Sequence, residues 1–184
     1  DLSVSILIFG IFFVLSNQIA GRILVPKYGT RRVMSLAFPL ITFSSLLSIT
    51  SSSYFYFLLT FIPAGIGWGA SGPIGGIHSQ LIEKHFKKII TPYYAMGFNI
   101  GILVGGGLAA IIMRYNFEPY IIFFVLSFFS ILVAFLVLHL GLPNNLDFKG
   151  KGEKFKIPES NVIIFGLLLF FVFGSGSIIM DWST

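Results

Sequence analysis

The chain has 184 residues, of which 55% are hydrophobic and only 10% charged, with a mean hydropathy of +0.92. A soluble domain carries roughly 25% charged residues, so a water-soluble fold is excluded, and the basic net charge must be explained by where the charges sit. The absence of cysteine removes disulfides and thiolate metal sites, and redox chemistry gets no support.

Residues 33–82, 89–113, 119–146 and 160–180 contain no Asp, Glu, Lys or Arg. Crossing the ~30 Å hydrocarbon layer takes about 20 apolar residues, and backbone in lipid must satisfy its own polar groups, so these gaps are read as helices. In chain order the helices are predicted at approximately 2–21, 33–50, 54–82, 90–113, 119–141 and 160–181. The gap at 33–82 holds two of them, divided at Ser51-Ser52-Ser53 just before the aromatic run Tyr54-Phe55-Tyr56-Phe57, which suits a membrane interface. The expected fold class is therefore an all-α membrane protein, a polytopic helical bundle.

Connections among the first five helices are short, whereas the stretch from Pro143 to Ser160 is rich in Lys, Gly, Asn and Pro and mixed in charge. That is linker composition. It gives a division into a first bundle at 1–141, a linker at 142–159 and the first helix of another bundle at 160–184. Alternate loops collect Arg22, Lys27, Arg31 and Arg32, then Lys84, Lys87 and Lys88, then Lys149, Lys151, Lys154 and Lys156, which is every basic residue except Arg114. Short cytoplasmic loops hold the excess of Lys and Arg. Loops 22–32, 83–88 and 142–159 are thus expected to be cytoplasmic, with Arg114, Glu118 and Asp181 opposite. The basic balance reports topology and gives no indication of nucleic acid as a partner.

The first basic loop reads Gly21-Arg22-Ile23-Leu24-Val25-Pro26-Lys27-Tyr28-Gly29-Thr30-Arg31-Arg32. It resembles the loop signature of the major facilitator superfamily, G-x-x-x-D-R-x-G-R-R, with Lys27, Gly29, Arg31 and Arg32 on its basic and turn positions. Pro26 stands where the family carries Asp, and Gly21 lies one residue early. Gly29 supplies a tight turn in which φ > 0 is easily reached. The segment from Gly65-Ile66-Gly67-Trp68-Gly69 through Glu83 and Lys88 to Gly97, Gly101 and Gly105 is similar to helices 4 and 5 of the sugar-permease-like or fucose-permease-like branch. In place of that branch's polar Asp, Asn and His stand Gly72, Gly76 and Ala95. Asp181-Trp182-Ser183 is similar to the ending of the branch's helix 7. Ile102 follows Gly101 where antiporter members carry Pro, which disfavours a drug/proton antiporter.

The resemblance implies that the six helices are the second to the seventh of a twelve-helix transporter cut at both ends. Such a protein is a secondary transporter, a symporter or permease working by alternating access between two halves. A non-transporting structural or receptor-like membrane module and an exporter are the alternatives, and a second six-helix half after Thr184 would discriminate. An enzyme is not expected, because His78, His85 and His139 are scattered without Ser, Asp or Glu companions at one depth. No metal or cofactor is expected. The expected partners are a small solute, the lipid bilayer and the remaining helices of the parent chain, in the plasma (inner) membrane.

Glycines spaced by four residues, Gly65 and Gly69, then Gly97, Gly101 and Gly105, let helix backbones approach, since lipid supplies no hydrophobic drive for association. Trp68, Asn99, Ser175 and Ser177 are expected to line a central cavity, with Asn17 and Gln18 nearer its cytoplasmic mouth. His78, Gln80 and Tyr94 are further polar candidates. An indole at mid-membrane more often packs in a core than faces solute, and His78 is read as locally bonded, not as a proton relay. No Asp, Glu, Lys or Arg lies deep in any helix, so an uncharged polar solute such as a sugar suits the site.

Overall fold

The computed structural model describes residues 2–143, 146–147, 160–161, 163–164, 166–168 and 171. The chain divides into two units, Asp1–Gly152 and Glu153–Thr184, and the described residues of the second are helical.

Within the first unit, α1 (Leu2–Ile19) runs through a π-helical turn (Ala20–Leu24) into the short α2 (Val25–Tyr28). Then follow α3 (Thr30–Ile49), α4 (Tyr54–Phe86), α5 (Thr91–Arg114) and α6 (Pro119–Leu140). Five stretches are long and apolar enough to cross a membrane: Leu2–Tyr28, Thr30–Ile49, Tyr54–Phe86, Thr91–Arg114 and Pro119–Leu140. The architecture is an all-α membrane bundle.

Several helices are longer than the charge gaps suggested. The region 22–32, read from sequence as a loop, is helical on both sides of a single break at Gly29, and α4 continues past residue 82 to Phe86. The physical reason is that charged residues end the apolar slab without ending the helix. What ends a helix is backbone: Gly29 has φ +84 and ψ 159, and α4 stops at Lys87 with φ 52. The π-helical turn precedes Pro26, which has no N–H to donate and whose ring crowds the carbonyl of the preceding turn. There the Val25 N–H reaches back to the Ala20 carbonyl, and both residues are fully buried. At the start of α4, Ser53 accepts a bond from the Tyr56 N–H, so the expected serine turn doubles as a helix cap.

The core is made of small residues. The largest fully buried side chains are Ile74, Val25, Thr30, Ser5 and Ser44, while dozens of Leu, Ile and Phe side chains face outward. Such an arrangement suits lipid, where association depends on close backbone approach and on interhelical hydrogen bonds. Gly65 and Gly69 of α4 lie against the backbone of α1 at Phe9 and Phe13, and Gly67 lies against Ala37 and Ile41 of α3. Hydroxyl bonds join the same helices. Ser16 Oγ donates to the Ile66 carbonyl at 2.7 Å between α1 and α4, and Thr42 Oγ1 meets Ser130 Oγ at 2.6 Å between α3 and α6. Helix α5 has no buried residue and touches α4 through its first turns, where the Tyr94 hydroxyl fills the notch at Gly75. Over Gly97, Gly101 and Gly105 the space is open among the described residues.

Candidate functional site

Trp68, midway along α4, borders a cleft of about 410 Å³ that also includes Phe9 of α1, Ser44, Ser45 and Ser48 of α3, and Phe123 of α6. The serine hydroxyls bond to carbonyls of their own helix. Ser44 Oγ donates to the Ile41 carbonyl at 2.7 Å, Ser45 Oγ to the same carbonyl at 3.1 Å, and Ser48 Oγ to the Ser44 carbonyl at 3.0 Å. A hydroxyl has one proton and two lone pairs. Ser44 is fully buried and Ser48 Oγ also pairs with Thr60 Oγ1, so Ser45, whose proton goes to the helix, is the hydroxyl that offers a bound molecule acceptor capacity beside the aromatic side chains.

The other residues singled out from the sequence are distributed as follows. Asn17 is half-buried, with its side-chain amide over Gly72, one helical turn from Trp68, whereas Gln18 is exposed. Asn99 is exposed and borders a separate depression formed by α5 alone, from Pro92 to Leu103. Trp68 and Asn99 are therefore not brought together among the described residues. Ser175, Ser177, Asp181 and Trp182 lie outside the described residues. Lys27 places its ammonium 5.1 Å from the Tyr28 ring. Among the described residues no group of three or more His, Asp or Glu side chains is placed to hold a metal ion.

A second cluster occupies the end of the bundle that carries the basic turns. The caps of α3 and α5 are Gly29 and Ile90, neither of which offers a side-chain acceptor to the first helical N–H groups. Helix starts leave such donors unsatisfied unless another group supplies an acceptor. For α5 the acceptor is Glu83 Oε1, which takes the Ile90 and Thr91 N–H groups at 2.7 Å each. For α3 it is Asp147, from the segment after α6: its Oδ1 takes the Thr30 N–H at 2.9 Å, and its Oδ2 the Arg31 N–H at 3.3 Å. Thr30 Oγ1 also donates to Asp147 Oδ1 at 2.6 Å and lies 2.9 Å from His78 Nδ1. Since the Thr30 proton goes to the carboxylate, the imidazole must be the donor, which assigns hydrogen to Nδ1 of His78.

Sequence reasoning recognised Gly29 but not Asp147, Thr30 or the α3 serines. The aspartate sits in linker-like sequence, and its partners are 116 and 117 residues away, so no local signal marks it. The serines are dispersed among apolar residues and are brought into one cleft only by helix packing.

No match was found among curated proteins or among solved structures. The family model for the Major Facilitator Superfamily matches residues 1–183. With that match across nearly the whole chain, and five apolar spans joined by short turns, the chain belongs to the Major Facilitator Superfamily, a family of secondary transporters.

Proposed function

We propose that this chain contributes the solute-facing helices of a transporter that moves a small, polar, uncharged solute by alternating access, as a symporter or permease of the sugar-permease-like branch. The observation that carries the reading is the cleft at Trp68, which an indole and several phenyl rings line together with the Ser45 and Ser48 hydroxyls. Aromatic faces suit the C–H surface of a sugar-like molecule, and hydroxyl acceptors suit its O–H groups. An ion would find no partner there, because the α3 and α4 segments around the cleft carry no Asp, Glu, Lys or Arg between residues 33 and 82.

In this reading the protein sits in the plasma (inner) membrane with the Arg22–Arg32 and Glu83–Lys88 turns in the cytoplasm, on the side favoured by the positive-inside rule. Asn17, Asn99, Ser175 and Ser177 belong to the rest of the solute path. The open glycine face of α5 at Gly97, Gly101 and Gly105 suits close packing of a further transmembrane helix. The test is uptake of a panel of radiolabelled neutral hexoses and polyols into proteoliposomes containing the intact protein. Trp68→Ala should reduce uptake of the accepted solute at least tenfold at equal protein content. Equal uptake by wild type and Trp68→Ala would remove this cleft from the path.

A further inference from the structure

The start of α3 presents an electrostatic conflict. Lys27, Arg31 and Arg32 crowd a helix N-terminus, where the helix dipole favours anions and disfavours cations. The cap residue is a glycine, and Pro26 leaves no carboxylate within the turn itself. We infer that Asp147 is the positioning residue of this basic turn, and that its carboxylate, delivered from beyond α6, fixes the start of α3 and anchors the segment that follows α6 to the bundle.

Three independent features support this role. First, the carboxylate is built in, since Asp147 is only 8% exposed and Thr30 is fully buried. It serves two backbone N–H groups and a hydroxyl at once. Second, Gly29 is shaped around it, because a Cβ at that position would stand 2.3 Å from Asp147 Oδ2. Third, the α3 start and the end of α6 also meet directly. The stem of Arg31 lies across Gly141, where a Cβ would meet Arg31 Cδ at 2.7 Å, so the basic residue of the α3 start reaches the C-terminal end of α6. Cations are favoured at helix C-termini and anions at N-termini. The α3 start thus receives the anion its dipole favours from the segment after α6, while the Arg31 stem packs against the end of α6.

His78 extends the clasp to α4 through the Thr30 hydroxyl. The turns at Pro143, whose carbonyl accepts the Leu146 and Asp147 N–H groups, carry the aspartate back to α3. Leu146 and Asp147 are therefore held to the bundle although α6 ends at Leu140.

The test is amide hydrogen exchange of the intact protein in lipid nanodiscs, read by mass spectrometry over peptides covering 28–34 and 88–94. Asp147→Ala should speed exchange at Thr30 and Arg31 at least tenfold while leaving Ile90 and Thr91 as in wild type. Glu83→Ala should do the reverse. Asp147→Asn, which keeps one carbonyl acceptor, should recover part of the protection at Thr30. If Asp147→Ala does not fold, Thr30→Val takes its place, because it removes the hydroxyl arm alone and should speed exchange at the α3 start selectively. Unchanged protection at Thr30 and Arg31, or equal acceleration in both peptides, would overturn the inference.

Discussion

Replacing Gly29 by alanine tests the geometry of the basic turn most directly. Two costs add at this position. The backbone has φ +84 and ψ 159, a region essentially reserved for glycine, and holding another residue there costs of order 1–3 kcal/mol. The new Cβ would also stand 2.3 Å from Asp147 Oδ2, so the carboxylate must withdraw from the Thr30 and Arg31 N–H groups. Loss of a helix cap costs about 0.5–2 kcal/mol. Together the loss is about 1.5–5 kcal/mol, and at ~2–4 °C per kcal/mol for a chain of this size it lowers Tm by about 3–20 °C. Thermal melts in detergent followed by tryptophan fluorescence would measure it for Gly29→Ala, Asp147→Ala and the double variant. In the Asp147→Ala background the cap is already gone, so Gly29→Ala should cost only its backbone share, and the two losses should add to less than their sum. A Gly29→Ala protein melting within about 2 °C of wild type would refute the reasoning, and so would an equal loss in both backgrounds.

Close helix approach gives the next expectation. A Cβ on Gly69 would stand 2.2 Å from the Phe13 carbonyl oxygen, with backbone on both sides of the contact, so Gly69→Val should force α1 and α4 apart. The expected result is loss of the folded, monodisperse species in size-exclusion chromatography, and a normal elution profile with an unchanged melt would count against the packing. The hydroxyl ladder between α3 and α6 gives a smaller effect. Ser130→Ala removes the contact with Thr42 and the bond to the Ser127 carbonyl, and at about 0.5–1.5 kcal/mol for an interhelical bond in a membrane protein it should produce a modest but measurable drop in Tm. No change in Tm would mean that the Thr42–Ser130 pair does not help hold the two helices.

Much of the fold was legible because crossing a bilayer is a one-dimensional constraint. A span needs a charge-free run of sufficient length, and the gaps between charges in the sequence reveal such runs without any knowledge of neighbours. The Ser51–Ser53 turn and the glycine turn at Gly29 were readable for a related reason, since each is set by the conformational preference of a few adjacent residues. Helix ends were less legible. The charges at Arg22, Arg31 and Glu83 mark the limit of the apolar slab, whereas the helices run on through polar residues until the backbone turns at Gly29 and Lys87.

The site was legible only in outline. Trp68 was singled out as an indole at mid-membrane, but the α3 serines that share its cleft depend on how α3 packs against α4, which no local pattern encodes. Asn99 looked like its partner by depth, and the packing of α5 through its first turns leaves the two on separate surfaces among the described residues. Thus the sequence by itself determined the membrane class, the five spans between Leu2 and Leu140 and the turn at Gly29, because hydropathy, charge spacing and glycine's freedom act along the chain, while most of the span expected at 160–181 lies outside the described residues. Only the tertiary structure decided that Asp147 caps α3, that Arg31 crosses Gly141 and that α3 serines border the cleft at Trp68. Those contacts are short-range in space and distant in sequence, so they come into being only when helices held by small residues approach closely enough for side chains to meet.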